Sequence, residues 1–159
     1  MTISKRIRRL EQLGEARDGI SRGGYACDIG PYDLASVLQG WHPDAVFQNG
    51  EERYEGIEQL TEFFGGLSAP FTFHIFCNFE TLATDPDSVT VHTYGLEGPI
   101  LNGRGHFGAF EHIQTMDTVS LPSRSREWYQ SIHLITSVDQ GWVDGPAIAD
   151  QTKSSDDRE

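Results

Sequence analysis

The spacing of the apolar residues changes near residue 70, and this change limits the fold more than any other feature of the chain. Before it, apolar residues recur at steps of three and four, which predicts helices. After it, β-branched and aromatic residues form runs separated by turn residues, which predicts strands over 71–82, 89–96, 106–119 and 128–138. Because the helices precede the strands instead of alternating with them, we expect an α+β fold with helices on one face of a long antiparallel sheet.

Three helices are predicted in the first 70 residues. The first follows apolar side chains at helical spacing, at Ile3, Ile7, Leu10 and Leu13. A glycine pair at 23–24 leaves two alternatives open, a helix that continues through residues 25–27 and a helix that is interrupted before Asp28. The second helix is predicted over 31–40 and the third over 57–67, with a short strand at 44–48 and an Asn-Gly turn between them.

The charge balance excludes several classes of function. Acidic residues outnumber basic ones 24 to 12, and a net charge of −12 repels nucleic acid. The apolar runs are shorter than the roughly 20 residues that cross a bilayer, and no apolar stretch of a secretory signal follows the basic N-terminus. Two cysteines favour a reducing, cytoplasmic location. We expect one domain over 1–149 and a disordered acidic tail over 150–159.

The motifs of common cofactor enzymes are missing from the sequence. It contains no GxGxxG, P-loop, GxSxG or HExxH pattern, so no cofactor is expected. Six histidines are present, but none has the close spacing to other ligands that a metal site requires, and no metal is expected either.

His74 and Asp28 are the two candidate catalytic residues. His74 lies in an aromatic strand, where it is either a hydrogen-bonded structural histidine or a general base. Asp28 follows the first helical region, where it is either a cap or turn residue or the partner of a histidine. A carboxylate bound to one ring nitrogen of a histidine selects the tautomer and raises the basicity of the other nitrogen.

Other polar and aromatic residues are candidates for substrate binding. They are Tyr25, Trp41, Phe47, His92, Tyr94, His112, Ser131 and His133. Strand alternation places His92 and Tyr94 on one face and Ser131 and His133 on one face, but it leaves open which faces turn inward. Tyr25, His92 and His133 are candidates for an acid that assists a leaving group. The glycine-rich stretch 95–108 is either a lid over a cavity or a plain connection.

Several segments in succession resemble a known family. Tyr25-Ala26-Cys27-Asp28, the stretch from Trp41 to Phe47, and Phe73-His74-Ile75 resemble the SnoaL-like branch of the nuclear transport factor 2-like superfamily. The chain is most similar to the scytalone dehydratase and hexachlorocyclohexane dehydrochlorinase group. The resemblance implies a cone-shaped, curved mixed β-sheet wrapped by three N-terminal helices, with Asp28 and His74 as a general-base dyad inside it. One tyrosine position of scytalone dehydratase beside the Asp is Cys27 here.

The leading hypothesis is therefore a cofactor-independent lyase. It would eliminate water, halide or a small carbon fragment such as formaldehyde from a small hydrophobic or aromatic substrate. Two alternatives remain open, an isomerase or cyclase with the same dyad and a non-catalytic ligand-binding or assembly module like the small subunits of ring-hydroxylating dioxygenases. The resemblance also implies a homo-oligomer, with a trimer favoured over a dimer.

Overall fold

A computed structural model describes residues 2–28, 33–67, 72–98, 100–101 and 104–138. These residues form three helices and seven strands. The helices are α1 (Ile3–Asp28), α2 (Leu34–Gln39) and α3 (Gly56–Gly66). The strands are β1 (Trp41–Asn49), β2 (Glu52–Glu55), β3 (His74–Thr84), β4 (Ser88–Glu97), β5 (Ile100–Leu101), β6 (Arg104–Asp117) and β7 (Arg124–Val138). The predicted tail at 150–159 lies outside the described residues.

The strands form one curved, unclosed sheet in the order β2-β1-β7-β6-β4-β3, with β5 paired to β6. All the pairs are antiparallel except β1 and β7, which run parallel. The hydrophobic pattern predicted an antiparallel sheet, and this is corrected to a mixed one. The cause is that β1 is separated from β7 by nearly half of the chain, and the direction of such distant partners is not encoded in either strand's own pattern.

Helix α1 is continuous through Asp28, so the alternative with a break before that residue is excluded. Its glycines allow the helix to lie close to the sheet. A methyl group at Gly24 would lie 2.7 Å from Cε2 of Phe76, which is closer than two such carbon atoms approach. The second helix begins later than predicted, because Asp33 caps it by accepting a hydrogen bond from the backbone N–H of Ala35.

The three helices cover one face of the sheet, which we call the inner face, and no helix among the described residues covers the opposite, outer face. Two apolar clusters fill the space between the helices and the inner face. The first contains Val37, Trp41, Ala45, Phe47, Leu60 and Phe64. The second contains Ala16, Ile20, Val89, Val91 and Met116. The three predicted helices and the sheet thus enclose a core on one side only, as the α+β interpretation required.

The edge strand β3 is irregular where it meets α1. Its register with β4 shifts between Cys77 and Glu80, and Asn78 has a positive φ of 54°. A bulge of this kind bends a strand and changes the direction of the side chains beyond it. Phe76 and Phe79 are therefore both packed against the second cluster, next to α1, although they are three residues apart.

Most of the glycine-rich stretch 95–108 is neither a lid nor a loop in the described part of the chain. Residues 95–97 end β4, residues 100–101 form β5, and residues 104–108 begin β6. Of the helices that the structure describes, none combines the length and the hydropathy needed to cross a bilayer.

Candidate active site

The end of α1 and the start of β3 bring Asp28 and His74 into direct contact. Nδ1 of His74 lies 2.6 Å from Oδ1 of Asp28, and the backbone N–H of His74 donates to Oδ2 of the same carboxylate at 3.0 Å. An ionised carboxylate can only accept, so Nδ1 carries a hydrogen, and the bond from the backbone N–H holds the carboxylate in place beside the ring. Nε2 is then the ring nitrogen that remains for acid–base chemistry.

Nε2 of His74 faces a second carboxylate. Glu97 is the residue paired with His74 across β3 and β4, and its Oε2 lies 3.4 Å from Nε2. The side chains of His74, Asp28 and Glu97 are 18%, 19% and 25% exposed, so all three are sheltered but reachable. Burial alone would lower the pKa of His74, but the interactions with Glu97 and Asp28 outweigh it and raise the pKa above 6.5.

His112 lies deeper on the inner face and is only 2% exposed. Its ring is surrounded by the rings of Phe76, Phe110 and Trp128, at centroid distances of 5.5, 5.8 and 5.1 Å. Neither of its ring nitrogens has a hydrogen-bond partner among the described residues. Burial, together with the charge of His74, lowers the pKa of His112 to about 3, so this histidine is neutral near pH 7.

Cys27, which precedes Asp28, is a weak candidate for chemistry. Burial and the negative charges of Asp28 and Glu97 raise the pKa of its thiol to about 12. A thiol with such a pKa forms almost no thiolate near neutral pH and does not act as a nucleophile.

A small cavity of about 240 Å³ opens beside the Asp28–His74 pair. It is lined by Ser21, Gly24, Tyr25, Asp28, His74, Phe76 and Phe79. This volume exceeds the roughly 150 Å³ that admits benzene and falls below the usual range for drug-sized ligands. The cavity therefore suits a molecule of about one ring. Tyr25 lies at its rim with 67% of its surface exposed.

A larger depression of about 460 Å³ lies on the outer face. It is lined by His42, Asp44, Val46, Thr115, Arg126 and Glu127. None of these residues belongs to the hydrogen-bonded pair of Asp28 and His74. We therefore place the candidate site at the smaller cavity, where the acid–base groups converge.

Trp41 and Phe47, which were predicted to bind substrate, lie on the inner face as core residues. Trp41 is 5% exposed and Phe47 is 4% exposed, and their rings pack edge to face at 5.6 Å. Trp41 also stacks on Trp128, the neighbour of His112, at 5.3 Å. They pack behind His112 through Trp128 and do not line the cavity beside His74.

Four predicted substrate-binding residues lie on the outer face, away from His74. These are His92, Tyr94, Ser131 and His133. The reason is strand alternation: Thr93 and Glu97 point inward from β4, so the residues at 92 and 94 point outward. Glu111 lies between the two histidines there, 2.7 Å from Nε2 of His92 and 3.1 Å from Nε2 of His133. The prediction that these four residues line the cavity is corrected accordingly.

Glu97, Phe76 and Phe79 were not predicted as site residues. No local signal distinguishes Glu97, since its contact with His74 depends on the register of β3 against β4. Regular strand alternation would place Phe76 and Phe79 on opposite faces, and the bulge at Asn78 that brings them to the same side is not evident from the sequence. Among the described residues, no group of three His, Cys, Asp or Glu side chains is arranged to hold a metal ion.

No family model matches the sequence, and the search of curated proteins found no relative. Solved structures do resemble it. A type 2 hexachlorocyclohexane dehydrochlorinase (LinA) has a TM-score of 0.74 at 16% identity, over 89% of this chain and 99% of that chain. A provisionally assigned scytalone dehydratase from Novosphingobium aromaticivorans has a TM-score of 0.72 at 10% identity, over 84% and 91%.

A third similar structure is a nuclear transport factor 2-like protein from Novosphingobium aromaticivorans. Its TM-score is 0.67 at 15% identity, over 93% of both chains. The chain thus has the nuclear transport factor 2-like α+β cone fold, which confirms the resemblance and the fold class predicted from the sequence. Identities this low show the fold alone, so the reaction must be argued from the site.

Proposed function

We propose that the protein is a cofactor-independent lyase that uses Asp28 and His74 to eliminate a small group from a hydrophobic or aromatic substrate. The observation that carries this proposal is the 2.6 Å contact between Nδ1 of His74 and Asp28, which leaves Nε2 directed into a sheltered site. Two of the similar structures bear the names of elimination enzymes, a dehydrochlorinase and a dehydratase, and this agrees with the proposed class.

The proposed reaction begins with removal of a proton from a substrate carbon by Nε2 of His74. The imidazolium that forms is stabilised by Asp28, which also holds the ring in place. The bond to the leaving group on the neighbouring carbon then breaks, and a double bond forms between the two carbons. A positioned base contributes about 10²- to 10⁴-fold to the rate of such a step.

The residues that line the cavity favour a small apolar substrate. Phe76 and Phe79 line it, and α1 closes its other side with Gly24, whose missing side chain leaves room beside Phe76. His112 adds a neutral polar group behind Phe76. We propose that the substrate is a one-ring molecule with few charges, because a sheltered site with two carboxylates disfavours an anion.

The test is elimination activity in purified variants. We expect His74→Gln and Asp28→Asn to lose activity on any substrate that the wild type converts, while the outer-face control His133→Gln keeps it. Mass spectrometry of the product separates the main alternative, because an isomerase or cyclase conserves the mass of its substrate. A His74→Gln variant that folds and retains full activity would show that the pair is not catalytic.

The binding-module alternative predicts that Asp28 and His74 are not hydrogen-bonded to each other. The short contact between them counts against it.

We also propose that the chain forms a homo-oligomer through the outer face of the sheet. Ile75, Tyr94, Ile113 and Tyr129 expose between 37% and 51% of their surface there. Apolar groups grouped on one face favour burial against another surface. Light scattering of the purified chain measures the assembly, and the resemblance leads us to expect a trimer.

A further inference from the structure

Glu97 is the only carboxylate in the described part of the chain that faces Nε2 of His74. It is the last residue of β4 and lies between His74 on β3 and Gly108 on β6, which are its partners in register. Its Oε2 lies 3.4 Å from Nε2, and a quarter of its side chain remains exposed. Glu97 therefore lies against His74, which lines the cavity, and is not closed off from solvent.

Two glycines make room for this arrangement. A methyl group at Gly108 would lie 3.2 Å from Cγ of Glu97, so a larger residue there would crowd the stem of the carboxylate. A methyl group at Gly98 would lie 1.9 Å from Cε1 of Phe73, and the N–H of Gly98 donates to the carbonyl of Phe73 at 3.1 Å. The end of β4 is thereby held against the residue that precedes His74.

Besides the proton on Nδ1, the three side chains share a second proton that can lie on Nε2 of His74 or on Glu97. With Nδ1 engaged by Asp28, the proton on Nε2 can stay on the imidazolium or move to the carboxylate of Glu97. In the first arrangement His74 is a cation between two anions and cannot act as a base. In the second arrangement Nε2 is free to accept a proton and Glu97 is an acid. The second arrangement supplies both the base and the acid that an elimination of water requires.

We propose that Glu97 is the general acid of this site and protonates the leaving group while His74 removes the proton from carbon. This inference rests on the proposed lyase function. The proton on Nε2 first moves to Glu97. Nε2 then takes a proton from the substrate carbon, the double bond forms, the carbon–oxygen bond breaks, and the proton of Glu97 passes to the departing oxygen to give water. The imidazolium and the carboxylate are restored, so the atoms and charges balance.

The first test needs no substrate. The Nε2 resonance of His74 is followed against pH by nitrogen NMR in the wild type, in Glu97→Gln and in the outer-face control Glu111→Gln. We expect Glu97→Gln to lower the pKa of His74, because one of the two carboxylates that stabilise the cation is gone, and Glu111→Gln to leave it unchanged. The neighbouring groups at Cys27, Asp28 and His112 are the same in all three proteins. An unchanged titration in folded Glu97→Gln overturns the proposal.

The second test compares two leaving groups on one ring. 3-Hydroxycyclohexanone and 3-acetoxycyclohexanone both eliminate to cyclohex-2-enone, which absorbs in the ultraviolet, but hydroxide must be protonated to leave whereas acetate need not be. We expect Glu97→Gln to lose about 10²- to 10⁴-fold in kcat on the hydroxy probe and less than about 10-fold on the acetoxy probe. A loss of equal size on both probes overturns the assignment of Glu97 as the acid.

The pH profile adds a readout that a structural role would not change. With the hydroxy probe, wild-type activity falls at high pH, where the shared proton is lost. With the acetoxy probe, activity does not fall there, because His74 alone is needed. The activity of Glu97→Asp on the hydroxy probe also falls at high pH, whereas that of Glu97→Gln does not. If His74→Gln converts both probes as well as the wild type does, the proposed lyase function itself fails, independently of Glu97.

Discussion

An Asp28→Asn substitution should destabilise the protein more at low pH than at high pH. The pKa of His74 is raised above its ordinary value of 6.5 in the folded chain. A group with a raised pKa in the folded state contributes stability that is fully present below the pKa of the unfolded chain and is lost as the pH rises through the folded pKa. The contribution of Asp28 to the charged form of His74 is therefore largest in mildly acidic solution.

The size of the effect follows from the contact. A hydrogen bond to a charged partner contributes about 1.5–3 kcal/mol, and both side chains are less than one fifth exposed, so solvent weakens it little. Asparagine has one side-chain oxygen, so it can accept from Nδ1 or from the backbone N–H of His74 but not from both, and this loss is the same at every pH. The interaction with the cation is lost in addition, and only where His74 is charged. We expect Asp28→Asn to cost about 1.5–3 kcal/mol more near pH 5.5 than near pH 8.5.

Urea unfolding at the two pH values measures this difference directly. The matched control is Asp33→Asn, an aspartate at the start of α2 that does not contact His74 and whose replacement is itself a good helix cap. We expect the control to change stability equally at both pH values. Equal destabilisation by Asp28→Asn at both values would refute the reasoning, because it would mean that the charge of His74 does not depend on Asp28.

Two further predictions concern the inner face. His112→Phe should lose less stability than the wild type when the pH is lowered, because the unfolded wild-type chain binds a proton at this histidine below pH 6.5 whereas buried His112, with a pKa of about 3, does not. The wild type is expected to lose about 2 kcal/mol at pH 5 through this histidine. Urea unfolding measures the loss, and a parallel loss of stability in wild type and variant would contradict the prediction. Gly24→Ala should lower the free energy of unfolding by about 1–3 kcal/mol, because its methyl group would lie 2.7 Å from Phe76. Gly23→Ala should raise it by up to about 1 kcal/mol, because a methyl group there has no neighbour within 4 Å and alanine favours the helix. Thermal unfolding compares the two, and similar midpoints would argue against close packing of α1 on β3.

The features that were predicted from the sequence are those that neighbouring residues determine. The apolar spacing of 57–67 led to α3, and the aromatic and β-branched runs led to the long strands within a few residues of their ends. The Asn49-Gly50 pair led to the turn after β1, where Gly50 has a positive φ of 61°. Backbone propensity and the burial of one face act over a few residues, so a local pattern is enough to specify such elements.

The pairing of distant segments could not be predicted in this way. Asp28 and His74 are separated by 46 residues, and the expectation that they meet came from the family resemblance, not from spacing. Alternation correctly grouped His92 with Tyr94, but the side of the sheet that faces inward depends on where α1 and α3 pack. Glu97 was missed for the same reason, since its place beside His74 follows from strand register.

The sequence by itself therefore determined the three helices and the longer strands in their order, but not the short strands β2 and β5, and it indicated an acidic chain without nucleic-acid or cofactor motifs. The tertiary structure alone decided which polar groups share one site. It brought Asp28, His74 and Glu97 together and placed His133 on the opposite face. The physical reason is that these contacts result from the packing of helices on one face of a sheet, which minimises the exposed apolar surface of the whole chain and has no counterpart in any short segment.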